Sequence, residues 1–101
     1  MPIFKLKLQQ SYFANGFFNV TVDYDRYVRK TEGPLRLRLG RNGAEIEAKL
    51  SRHANLNGTP RISGGVPLRD WFHRHFQPMD TVAVDLSSED LMILDKVPDP
   101  L

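Results

Sequence analysis

Residues 35–50 read Leu-Arg-Leu-Arg-Leu-Gly-Arg-Asn-Gly-Ala-Glu-Ile-Glu-Ala-Lys-Leu, two alternating runs that meet at an Asn-Gly pair. Leu35, Leu37 and Leu39 alternate with Arg36 and Arg38; Ile46, Ala48 and Leu50 alternate with Glu45, Glu47 and Lys49. A period of two places each set on its own face of a strand, and Asn-Gly is a signal for the turn between them. The stretch reads as a β-hairpin with an apolar inner face. Its outer face sets arginine opposite glutamate, so cross-strand pairing explains Arg36, Arg38, Glu45 and Glu47 without a ligand.

The same logic extends in both directions. Toward the N-terminus, Phe4, Leu6 and Leu8 alternate with Lys5, Lys7 and Gln9, a half-buried strand. Asn15-Gly16 is a turn signal, and Phe17-Phe18-Asn19-Val20 reads as the second strand. Val20, Tyr24 and Tyr27-Val28 then fall at helical spacing, with Asp23 and Asp25 early and Arg29-Lys30 late, as a short helix dipole favours. Toward the C-terminus, Ser51 to Arg61 is a polar loop or extended arm, with strand resuming between Thr59 and Ile62. Gly64-Gly65 ends that strand. Pro67 is expected to open a helix at its first position, with Leu68, Trp71-Phe72 and His75-Phe76 as its apolar face. Val82, Val84 and Leu86 form a strand that returns through Leu91–Leu94, and Val97–Leu101 reads as a linker-like tail.

The expected fold is mainly β: an open pseudobarrel of about seven strands with two short helices. The 101 residues amount to one domain, over residues 1–96, before the tail. With 41% apolar and 26% charged residues the composition is that of a globular chain. There is no cysteine, which excludes disulfides, thiolate zinc sites and a cysteine nucleophile. No stretch reaches the roughly 18 apolar residues of a membrane helix. A cytoplasmic bacterial protein with no membrane partner is the expectation.

The net charge of +2 hides an uneven distribution. Residues 1–25 sum to zero, residues 26–61 to +6 and residues 62–101 to −4. A basic middle and an acidic end suggest one anion-facing side. Catalysis has little support. His73 and His75 stand two apart on a helix and so diverge, and no nucleophile elbow, phosphate loop or zinc-helix motif is present. No enzymatic activity, metal or cofactor is expected in this chain.

Two polar segments remain, Gln9 to Gly16 and Ser51 to Arg61. Arginine can pair bidentately with guanine, and asparagine or glutamine with adenine, although the same residues are ordinary turn formers. The candidate base-contacting residues are Gln10, Ser11, Tyr12 and Asn15 in the first segment and Arg52, His53, Asn55, Asn57 and Arg61 in the second. Arg52 is the leading single candidate. Lys5, Lys7, Arg29, Lys30, Arg41, Lys49 and Thr59 are candidate phosphate contacts; five to eight neutralised phosphates correspond to a salt slope of about −5 to −7.

The element order resembles a known family. Residues 68–86, Leu-Arg-Asp-Trp-Phe-His-Arg-His-Phe-Gln-Pro-Met-Asp-Thr-Val-Ala-Val-Asp-Leu, with the turn and Leu91-Met-Ile-Leu94 after them, resemble the end of the B3 DNA-binding pseudobarrel. There a Trp-x-x-Phe-like helix precedes a Gly-Asp-x-Val strand start and a closing hairpin; Met79 stands here in place of the usual glycine. Residues 18–28, Phe-Asn-Val-Thr-Val-Asp-Tyr-Asp-Arg-Tyr-Val, resemble the family's second strand running into its first helix, with Thr21 or Val22 in place of a common proline. B3 domains occur in plant transcription factors and, in related form, as target-recognition domains of restriction endonucleases such as EcoRII and BfiI. The resemblance covers Phe4 to Leu94. It implies sequence-specific binding of double-stranded DNA by two arms gripping the major groove, one between the first two strands and one between strands four and five. By position these are Gln9–Gly16 and Ser51–Arg61. The resemblance implies a monomer that is part of a nuclease or acts beside one. Two other readings stand beside it: a swapped-hairpin dimeric regulator of the AbrB type, and a protein-interaction barrel that ignores DNA.

Overall fold

A computed structural model of the chain describes residues 2–97, so the end of the expected linker-like tail lies outside the described residues. Seven strands, β1 (Ile3–Lys7), β2 (Phe17–Asn19), β3 (Gly33–Leu39), β4 (Glu45–Ser51), β5 (Arg61–Ser63), β6 (Thr81–Ser88) and β7 (Leu91–Lys96), form one sheet in the order β1-β6-β7-β3-β4-β5-β2. Only β3 and β7 pair in parallel. The sheet curls into a half-barrel, and the fold is mainly β as the alternation implies.

The β3–β4 hairpin forms in the expected register, with Arg36 opposite Glu47 and Arg38 opposite Glu45. Both arginines nevertheless converge on Glu45, at 3.0 and 2.8 Å. Strand twist brings the diagonal neighbour of Arg36 within reach. The Arg38 guanidinium donates to the Glu45 carboxylate and holds its pKa below the ordinary value, against a smaller opposing effect of desolvation.

Every alternating run buries the face expected of it. Phe4, Leu6 and Leu8 meet Leu35, Leu37, Leu50, Ile62, Val82, Val84 and Leu94 in one core. Phe18 and Phe72 are fully buried at its centre. The helix α2 (Gly65–His75) covers one end through Leu68, Trp71 and Phe72. His75 does not join that face: it is exposed and only flanks Trp71, with ring centroids 5.6 Å apart. Pro67 is also not the first helical residue, since the helix begins at Gly65. Gly65 has a left-handed φ of 67°, however, so Pro67 still stands in the first turn, where its missing N–H costs no helical bond.

The largest correction concerns Gln9–Gly16. This segment, expected as a polar turn, is helical: Gln10–Asn15 form a short helix, α1, so the described residues hold three helices where two were expected. Gly16, with φ 73°, is its left-handed C-cap, and its N–H donates to the Tyr12 carbonyl. Helix caps and hairpin turns both ask for positive φ, so Asn-Gly marks either. Tyr12 turns inward and Phe13 stacks on His73, with ring planes 9° apart and centroids 4.2 Å apart. A Cβ on Gly16 would lie 2.3 Å from the Gly65 carbonyl oxygen, so glycine here is also a matter of close approach to α2. The expected helix around Tyr24 is a 3-10 helix over Val22–Tyr27, its Tyr24 ring 5.1 Å from that of Phe4.

Candidate nucleic-acid interface

The two edge strands of the half-barrel are β1 and β2, and α1 crosses the opening between them. On the outer face beside α1, the register sets Asn19 next to Arg61 next to Ser51, and Phe17 next to Ser63 next to Lys49. α1 leads into the Phe17 end of β2. The loop over residues 52–60 leads into Arg61, opposite Asn19. The two polar segments therefore sit at opposite ends of a strand pair three residues long, which spans about 10 Å at about 3.3 Å per residue. On the far side of α1, Lys5 and Lys7 project from the outer face of β1.

Arg61 is the organised side chain of this face. Its Nε donates to Asn19 Oδ1 at 3.0 Å and its Nη2 to Asn55 Oδ1 at 3.2 Å. The Phe17 ring lies against the guanidinium, 4.4 Å from Cζ to the centroid. Asn55 also donates to Asn19 Oδ1 and to the Thr59 carbonyl, both at 3.1 Å. Asn55, expected as a base contact, thus has its amide occupied by Asn19, Arg61 and the Thr59 carbonyl, where it acts as a brace. The loop tip is a turn closed by Gly58 N–H donating to the Asn55 carbonyl at 3.1 Å, and it holds Leu56 entirely in solvent.

Other candidates are also placed elsewhere by the structure. Arg52 is not displayed on the loop. Its side chain is 14% exposed and uses four of its five donors inside the chain: one to Asp25, one to the Val28 carbonyl at 2.9 Å and two to the Arg29 carbonyl. Its backbone N–H donates to Glu32 at 2.6 Å, and that bond, with a lesser contribution from His53, holds the Glu32 pKa below its ordinary value of 4.5. Arg29 is likewise consumed, by Asp90 at 2.8 Å and by the carbonyls of Thr31, Pro34 and Glu89. Arg41 pairs with Asp85 at 3.2 Å, at the end of the β3–β4 hairpin away from the residue 52–60 loop. Tyr12 and Thr59 are buried. In each case tertiary folding brings up an acceptor or a core that is distant in the chain.

Lys5, Lys7, Lys30 and Lys49 are exposed and have no acidic partner among the described residues. Gln10, Ser11 and Asn15 are exposed on α1, although Asn15 also donates to the Ser11 carbonyl at 2.9 Å. His53 is exposed beside Glu32, at 2.6 Å. Asn57 is exposed and accepts from Thr59. The sequence reading missed Phe17, Asn19 and Leu56. The first two were legible, because Phe18 and Val20 point inward and their neighbours must point outward. Leu56 was visible as the only large apolar residue between Ser51 and Arg61.

No helix among the described residues is long and apolar enough to cross a membrane, and no group of three or more His, Cys, Asp or Glu among them could hold a metal ion. No protein-family model matches the chain, and comparison with curated proteins returns no match.

Proposed function

We propose that this chain binds double-stranded DNA sequence-specifically, as a B3-type recognition domain serving a restriction endonuclease. The observation that carries the reading is the pairing of β2 with β5, which sets α1 and the residue 52–60 loop at the two ends of one outward face bearing Arg61, Asn19 and Lys49. The spacing of about 10 Å suits a major groove about 12 Å wide. The face has both kinds of group such an interface needs: lysines free to neutralise phosphates, and arginine and amides that can distinguish base edges.

Two further features support the family resemblance. Two of the three helices fall where the family has its own, Val22–Tyr27 after the second strand and α2 before the last hairpin, and the polar segments fall in the two connections where the family has its arms. Met79, at the position where the family has glycine, has a φ of 74°, the left-handed backbone that glycine favours. The first arm differs in being a helix rather than an extended loop, so it would meet DNA through Gln10, Ser11 and Asn15 and not through Tyr12.

A mobility-shift titration with a random duplex pool at about 50 and about 200 mM salt tests the reading. Binding that weakens with salt, together with enrichment of particular sequences from the pool, is the expected result. A chain that shifts no duplex at the lower salt contradicts it.

A further inference from the structure

We infer that the duplex sequence recognised by this face contains a guanine read end-on by Arg61; this rests on the duplex-binding reading above. A guanidinium has five N–H donors in one plane. In Arg61 the side edge, made by Nε and one Nη2 hydrogen, is filled by Asn19 and Asn55. The end of the fork, made by Nη1 and the second Nη2 hydrogen, has no partner among the described residues. Those two N–H groups are parallel donors.

In the major groove guanine itself presents two adjacent acceptors, N7 and O6, and no donor of its own. Adenine sets an N6 donor beside its N7, so one arm of the fork would face another donor. The unfilled end of Arg61 therefore matches guanine and mismatches adenine. A lone flexible arginine would match it too, but at the cost of ordering its side chain on binding. Arg61 is ordered beforehand: Phe17 lies against one face, Asn19 and Asn55 hold one edge, and Asn55 is itself held by the Thr59 carbonyl. Arg52, the other arginine of this loop, has its fork turned into the chain and lacks such an open end.

The test uses the full chain and the sequences it enriches from a random duplex pool. Guanines in the enriched sequence are replaced one at a time by 7-deazaguanine, which keeps Watson–Crick pairing and lacks the N7 acceptor. One replacement is expected to weaken binding about tenfold, and to have less than about a twofold effect on Arg61→Ala and Arg61→Gln, which have already lost the fork. The base replacement on the unaltered chain needs no variant, so misfolding of either variant leaves the guanine requirement testable. Duplex binding without an enriched guanine of this kind, or with the same loss in the variants, overturns the inference and leaves duplex binding standing. Failure to bind any duplex in a salt-sensitive way removes both.

Discussion

Arginines divide by whether tertiary structure has already used their donors. Arg52 has four donors committed to Asp25, Val28 and Arg29, and its loss would leave two carbonyls and a carboxylate short of partners. Arg52→Ala is expected to lower unfolding free energy by about 2 kcal/mol, read from the denaturant midpoint, while the ratio of cognate to random duplex affinity stays unchanged. An unchanged midpoint with a loss confined to the cognate duplex would mean that Arg52 leaves its internal acceptors to read DNA. Glu32 takes part in the same junction, accepting from the Arg52 N–H and contacting His53. A carboxylate with a lowered folded-state pKa contributes its stability above the unfolded value and loses it as pH falls through the folded one. The Arg52 amide resonance should therefore titrate with a midpoint below 4.5, the ordinary Glu value. A midpoint at or above that value would show that the bond is not held in solution.

Among the elements, the turn before β6 stores the clearest backbone strain. Met79 has a φ of 74° and is 54% exposed, so its side chain gains little from burial in return for the left-handed backbone. The turn is held there because Met79 N–H donates to the Leu8 carbonyl at 2.6 Å and Gln77 N–H to Asp80 Oδ2 at 2.8 Å. Met79→Gly removes a left-handed cost of about 1–2 kcal/mol and adds somewhat less in unfolded-chain entropy. A net gain of a few tenths to about 1 kcal/mol in unfolding free energy is expected. A loss of stability would show that the Met79 side chain is packed in solution. α1 shows how far a local signal reaches. Asn15-Gly16 located a chain reversal correctly, but Tyr12 against the core and Phe13 against His73 made the preceding residues helical. The His73 contact comes from α2, sixty positions later in the chain.

At the scale of the molecule, the surplus of basic residues is smaller where DNA would lie than it is along the chain. Arg29 and Arg41 are neutralised by Asp90 and Asp85, both from the acidic C-terminal part. Four exposed lysines, Lys5, Lys7, Lys30 and Lys49, remain as candidates for phosphate contact. At about −0.9 per phosphate, log affinity should fall against log salt with a slope of about −4, shallower than the −5 to −7 that the uncorrected residue list implies. A titration giving about −6 or steeper would show that Arg29 or Arg41 exchanges its carboxylate for a phosphate.

Periodicity and turn chemistry carried most of the fold. Alternation in residues 3–8, 35–50 and 82–86 is a local pattern, and it determined the inner faces of β1, β3, β4 and β6, the hairpin register and the open mainly β architecture. The same pattern placed the loop between β4 and β5 correctly. The parallel joining of β3 to β7, the helical state of α1 and the fates of Arg29, Arg41 and Arg52 were not written locally. Each depends on acceptors or apolar surface brought from 23 to 61 positions away, as in Arg52 to the Arg29 carbonyl and Arg29 to Asp90. A donor's availability is a property of what surrounds it after folding, so residue type alone could nominate Arg52 and Arg61 equally. The packing of Phe17, Asn19 and Asn55 around one, and of Asp25, Val28 and Arg29 around the other, separates them.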